Sequence, residues 1–218
     1  MEHNSAHALR VQIVEAVARL EAMGFNHGSS GNMSCRIGDA MLITPTGANT
    51  ANLTPERLVL VDLDGQVAGP GTPSSEWQMH SEIYRHKGAV QAIVHTHADA
   101  CVALSCLREA LPPFHYMIAA FGGNEVRCAR YQPFGSQALA LAAVEALEGR
   151  TACLLANHGM IALGFSVSHA VGQTIKLETL VRQYLAARQT GTPVLLSDSE
   201  MQAVRERYRH YGIALMPE

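Results

Sequence analysis

Apolar residues at Ala8, Val11, Val14 and Ala18 fall on one face of a helix, so Ser5 to Met23 predicts an amphipathic helix that Gly24 stops. A glycine-rich loop follows. From Cys35 to Thr44 two short strand-like runs flank Gly38-Asp39, the pattern of a β-hairpin, and the run Leu58 to Val61 leads to a turn at Asp64-Gly65. The pattern then predicts a helix over Ser75 to Lys87, a buried strand over Val90 to His95, and helices over Asp99 to Leu107 and Ser136 to Glu148. Ala152 to Leu163 reads as strand, broken at His158-Gly159. Ser168 to Thr190 is a long amphipathic helix, and Ser199 to Tyr211 a last one behind the capping-box-like Ser197-Asp198-Ser199-Glu200. Hairpins interleaved with helices imply one sheet with helices packed on its faces, an α/β or α+β layered fold.

Composition narrows this further. The chain has 218 residues, 48% of them hydrophobic, enough to bury the core of a single domain, expected to span residues 1–218. A net charge of −3 with no basic run argues against nucleic acid as a partner. Met1 to Arg10 is polar, without the apolar stretch of a secretory signal, and no apolar run approaches a membrane span, so a cytoplasmic protein with no membrane partner is expected. Five cysteines form no CxxC pair, which predicts reduced thiols and makes a thiolate zinc site improbable.

The candidate chemistry lies in the histidines. His95 and His97 stand at i and i+2 directly after an apolar strand, so on an extended backbone both project to one side and can share one metal. His158, between Asn157 and Gly159, sits where a neighbouring sheet position can bring it alongside, and Glu76 opens a helix behind Pro73-Ser74-Ser75. Three imidazoles with an open fourth position are a catalytic zinc ligand set. With eleven histidines an HxH pair also arises by chance, so the residues alone leave a metal site and ordinary polar contacts both open. His80, His86, His115 and His169 fit no ligand pattern and read as helix surface or satisfied polar contacts, while His27 is undecided. Gly28-Ser29-Ser30-Gly31-Asn32, Thr44-Pro45-Thr46-Gly47 and Pro73-Ser74-Ser75 offer small residues, hydroxyls and free amides that suit an anion, although each taken singly reads first as turn chemistry or a helix cap.

Gly31-Asn32-Met33-Ser34, Ile43-Thr44-Pro45-Thr46-Gly47, Pro73-Ser74-Ser75-Glu76, His95-Thr96-His97 and Asn157-His158-Gly159 stand in the order and spacing of the class II aldolase/adducin family. The chain resembles that family nearly end to end, through Tyr211-Gly212 and including the segment from His115 to Asn124, and most of all its branch of L-fuculose-phosphate aldolases. The resemblance implies an α/β, three-layer domain with a mixed, largely antiparallel central sheet flanked by helices, assembled as a homotetramer with active sites at subunit interfaces. It implies one Zn2+ per subunit on His95, His97 and His158. Glu76 is implied as a further ligand that turns acid/base once substrate binds, and Tyr116 as the proton-transferring hydroxyl. Gly31, Asn32, Thr46, Gly47, Ser74 and Ser75 match phosphate-binding positions, and Phe134 and Tyr211 match residues that shape the site.

The implied reaction is reversible cleavage of a small ketose 1-phosphate to dihydroxyacetone phosphate and an aldehyde. Fuculose 1-phosphate, ribulose 1-phosphate and 5-deoxy or 5-methylthio pentulose 1-phosphates share the phosphate and the chelating oxygens, so the aldehyde half stays open. Lys87 and Lys176 are the only lysines and neither lies in a site motif, which argues against a Schiff-base mechanism. Two rival enzymes of the same family are a ketose-phosphate epimerase, disfavoured by glutamate at position 76, and a methylthioribulose-1-phosphate dehydratase, disfavoured by the Tyr116 segment. A non-catalytic adducin-like assembly domain need not keep the three histidines and Glu76 that this chain has.

Overall fold

The computed structural model describes residues 2–210. Helix α1 (Glu2–Ala22) is followed by strands β1 (Asn32–Ile37), β2 (Ala40–Ile43), β3 (Val59–Asp62) and β4 (Val67–Ala68). Next come α2 (Trp77–His86), β5 (Ala92–Thr96), α3 (Asp99–Cys106), β6 (Cys128–Ala129), α4 (Gln137–Ala146), β7 (Ala152–Leu155), β8 (Gly159–Gly164), α5 (Val167–Thr190) and α6 (Asp198–His210). The eight strands form one sheet in the order β4-β3-β2-β1-β5-β8-β7-β6. Every pairing is antiparallel except β6 with β7, so the sheet is mixed and largely antiparallel, as expected.

The alternation of side chains along the strands sorts the core into two layers. On one face Met33, Cys35, Val94 and Ala162 pack with Ile13 and Leu20 of α1, Leu104 of α3 and Leu177 of α5. On the other, Met41, Ile43, Ile93 and Ile161 pack with Met79 and Ile83 of α2 and Leu139 and Ala143 of α4. Helices thus cover both faces, giving the α/β three-layer arrangement.

The predicted hairpin forms with its turn at Gly38 (φ +56°), and the turn after β3 is tied by the Asp62 carboxylate, which accepts the N–H groups of Asp64 and Gln66. The Ala152 to Leu163 run is two antiparallel strands, and the break at His158-Gly159 is the tight turn between them. Four short elements escape the sequence reading: the two-residue strands β4 and β6 and the 3-10 helices over Pro55–Arg57 and Tyr116–Phe121. Predicted Tyr211 lies outside the described residues. No helix among the described residues is long and apolar enough to cross a membrane.

Candidate metal centre and substrate cavity

Strand β5 carries His95 at its fully buried end, with His97 just beyond it. Antiparallel pairing with β8 sets His95 opposite Ile161 and Thr96 opposite Met160, so the turn before β8 delivers His158 to the same place. The three rings meet edge to face, with centroids 4.8 to 4.9 Å apart, and their candidate ligand nitrogens all lie within 4.8 Å of one another. The close approach depends on Gly159. A Cβ there would stand 2.4 Å from the Thr96 carbonyl oxygen, 3.2 Å from His97 Cδ2 and 3.4 Å from His95 Cε1.

Hydrogen bonding fixes the free nitrogen of His95. A carbonyl only accepts, so the 2.9 Å contact between His95 Nδ1 and the Met160 oxygen puts the proton on Nδ1 and leaves Nε2 with a lone pair. That Nε2 lies 3.1 Å from His97 Nε2 and 3.2 Å from Glu76 Oε2. Glu76 Oε1, 3.6 Å from His158 Nε2, is buried with no hydrogen-bond partner. The His95 lone pair, the two further ring nitrogens beside it and an unsatisfied buried carboxylate oxygen form a cluster that a cation relieves, so the donor set fits a metal ion. His97 is pushed down to about 4 by burial and by His95 and His158, against the pull of Glu76. Burial and His95 push His158 to about 4 as well. Both rings are therefore neutral near pH 7, as ligation requires. Burial opposes ionisation of Glu76, but His95, His158 and the Asn32 hydrogen bond outweigh it and hold the carboxyl well below its usual range.

Glu76 is the residue just before α2. The segment leading to it is tied to the Thr44–Gly47 loop by Ser74 N–H to the Thr44 oxygen (3.0 Å) and Thr46 N–H to the Thr72 oxygen (3.1 Å). A cavity of about 380 Å3 opens there. Gly31, Asn32, Thr46, Gly47, Ser74 and Ser75, all anticipated, line it together with Glu76, His97 and His158. Phe134 stands at it as well, 74% exposed. Gly31 sits at φ +75° with its α-carbon face against the Asn26 side chain, where a Cβ would come within 2.3 Å of Oδ1. Asn26 Oδ1 in turn accepts the His97 N–H at 3.1 Å.

Tyr116 is not brought to this cavity. It is half exposed on the 3-10 helix, stacked on His115 with centroids 4.7 Å apart. Neither lysine lines the cavity. His27 resolves as a surface contact to Asp99 at 3.3 Å and His86 and His115 make local polar contacts, whereas His169 departs from the expectation: it stacks on Phe165 with its Nδ1 buried and without a hydrogen-bond partner. His80 is a satisfied polar contact too, but a wholly buried one, bonded to Asn32 and Ser34.

Sequence reasoning missed Asn26, Tyr131 and Arg108. Tyr131 and Asn157 line the cavity, and Arg108 Nε donates to Asn157 Oδ1 at 2.9 Å while its guanidinium lies 5.8 Å from the Tyr131 ring. Arg108 and Asn157 are the non-glycine residues with positive φ among the described residues, and they hold one another. The Asn-His-Gly motif was the only signal, since asparagine tolerates the left-handed region.

The family model described as Class II Aldolase and Adducin N-terminal domain matches residues 11–185. Over 205 residues the chain is 42% identical to a 5-methylthioribulose-1-phosphate/5-deoxyribulose-1-phosphate aldolase of Rhodospirillum rubrum, covering 94% of this chain and 93% of that one. It is 38% identical over 216 residues to the L-fuculose phosphate aldolase of Escherichia coli K12, covering 99% of both. A solved L-fuculose 1-phosphate aldolase superposes with a TM-score of 0.89 at 35% identity, over 93% of this chain and 96% of that one.

Proposed function

Since the chain belongs to the class II aldolase and adducin family and is a lyase of the class II aldolase type, we propose that it cleaves a small ketose 1-phosphate reversibly to dihydroxyacetone phosphate and an aldehyde. One observation carries this reading: His95, His97, His158 and the unsatisfied carboxylate of Glu76 converge beside a cavity rich in glycine, hydroxyls and backbone amides. Zn2+, one per subunit, is the ion we assign to the three histidines, and when bound it supplies a Lewis acid that draws electron density from the substrate carbonyl.

The chain's own residues do the rest. Gly31, Thr46, Gly47, Ser74 and Ser75 hold the phosphate through hydroxyls and amides, the loop before α2 adding the positive end of the helix dipole. Asn32 belongs to the same wall, its side-chain amide engaged with Glu76 at 2.8 Å. Glu76, displaced toward the substrate, moves the proton at C3 as the C3–C4 bond breaks or forms. Tyr116, exposed and away from its own chain's cavity, serves the C4 oxygen in a neighbouring subunit of a homotetramer. Phe134 shapes the entrance. The whole chain, 1–218, then works as one cytoplasmic domain on a phosphorylated sugar. Ketose 1-phosphates with 5-methylthio or 5-deoxy tails come first among candidates because the Rhodospirillum rubrum relative is named for them, with fuculose 1-phosphate next.

The test is cleavage of these ketose 1-phosphates by zinc-loaded protein, with dihydroxyacetone phosphate detected enzymatically and metal content measured on the same sample. Cleavage of at least one, lost in His158→Ala together with the zinc, is the expected result. Full zinc occupancy and activity in His158→Ala, or no cleavage of any by the zinc-loaded protein, overturns it.

A further inference from the structure

Five polar side chains form a continuous hydrogen-bonded row between α2 and β1, in the layer otherwise packed with Met79, Ile83 and Ile93. Glu76, His80 and Tyr84 are spaced i, i+4, i+8 along one face of the helix segment; Asn32 and Ser34 are spaced i, i+2 on one face of the strand. His80 and Ser34 are fully buried, and Tyr84 nearly so. A polar row in such a place contributes no more to stability than aliphatic packing, and it must be fully bonded to be tolerated.

The directions of the bonds follow from the atoms. The Glu76 carboxylate only accepts, so Asn32 presents its NH2 group to Oε2 at 2.8 Å and turns its carbonyl oxygen to His80. That oxygen only accepts, so His80 Nε2 carries the proton at 2.6 Å. Burial pushes His80 down to about 3, so the ring is neutral and Nδ1 must accept, from the Ser34 hydroxyl at 2.7 Å. Ser34, its own proton spent, accepts from the Tyr84 hydroxyl at 2.9 Å. Every donor points toward Glu76, and such a chain polarises its members in one sense.

We propose that His80 is a positioning residue for the aldol reaction: through Asn32 it anchors Glu76 by Oε2 and so keeps the carboxylate seated with Oε2 beside His95 and Oε1 toward His158. The inference rests on the role given above to Glu76. Without the Nε2–H donor the Asn32 amide loses its reason to face one way, and its oxygen can turn toward the carboxylate and repel it. Asn32 is thereby a holder of the carboxylate as well as part of the cavity wall.

The experiment compares His80→Leu, His80→Gln, Ser34→Ala and Glu76→Gln. In His80→Leu, kcat should fall roughly 10- to 100-fold with KM within about threefold of wild type, and zinc affinity, measured by chelator competition, should fall about tenfold, the range for residues that orient metal ligands from behind. His80→Gln offers an amide N–H to the Asn32 oxygen and should recover most of both losses, which a purely structural role does not predict. In the zinc-stripped wild type, 15N spectra of histidine-labelled protein should show His80 as the Nε2–H form. Ser34→Ala, the mildest change if His80→Leu does not fold, should lower kcat severalfold and populate both ring forms. Wild-type kcat and zinc affinity in Ser34→Ala or in folded His80→Leu, equal losses in the Leu and Gln variants, or an Nδ1–H ring in the wild type overturns the proposal. Undiminished activity in Glu76→Gln instead removes the functional reading beneath it, while the ring form and zinc affinity still report on His80.

Discussion

At position 76 a single oxygen separates a base from an inert mimic. Glu76→Gln keeps the shape that Asn32 and the α2 start require, so folding and phosphate binding should stay near normal while kcat drops by two orders of magnitude or more. Solvent exchange of the C3 proton of dihydroxyacetone phosphate measures this step directly, and undiminished exchange would assign the base elsewhere. The histidines give a pH test. His97 and His158 titrate at about 4 in the folded chain against 6.5 when free, so on acidification the unfolded chain takes up protons first. Stability of chelator-treated protein should therefore decline from about pH 6.5 to about 4; the depressed Glu76 carboxyl adds a loss in the same direction below 4.5. Thermal midpoints that stay flat between pH 7 and 5 would contradict this. The clustering of His95, His97 and His158 was legible in the sequence because few residue types suit a metal, and a strand repeat of two puts the first two on one side. His80 was not, because a polar residue on a helix face reads alike whether that face meets water or a strand bearing Asn32 and Ser34.

Among the elements, α3 begins two residues after His97, and its first N–H groups have no partner within the helix. Glu178 of α5, almost fully buried, supplies one: its carboxylate accepts Ala100 N–H at 3.1 Å and Cys101 N–H at 3.0 Å. Glu178→Ala should cost about 2 kcal/mol, as for hydrogen bonds to a charged group, and lower the melting temperature by roughly 4–8 °C for a chain of this size. Zinc affinity should fall with it, since the α3 start holds the backbone beside His97. A melting temperature within a degree of wild type would show that water replaces the carboxylate. Sequence legibility follows the same lines. The β1–β2 hairpin and the long α5 declare themselves by period and by turn residues, whereas β6 has two residues and exists through its parallel pairing with β7, a contact that no local pattern records. The Tyr116–Phe121 turn is set by its His115 cap and by packing on α6, again a tertiary effect.

For the whole molecule the question is where Tyr116 acts. A tyrosine that is 49% exposed and absent from its own chain's cavity fits a role across an interface. Tyr116→Phe retains nearly all the apolar area, so mere packing predicts activity within a few-fold, and proton transfer predicts a loss of about a hundredfold or more with zinc content unchanged. In the proposed homotetramer, assemblies that mix Tyr116→Phe and His95→Ala chains should regain part of the activity that each lacks alone; verified mixed assemblies that stay inactive would place the hydroxyl's work elsewhere. The missing side chain at Gly159 has a consequence at this scale too. Because backbone contact between β8 and the end of β5 sets how near the three imidazoles stand, the width of the ion seat is gauged by the sheet and not by the ligands. Gly159→Ala should act as a wedge, relaxing the preference for a small ion over a larger one such as Cd2+ before the fold itself gives way, so that ion size becomes a caliper for the spacing of two strands.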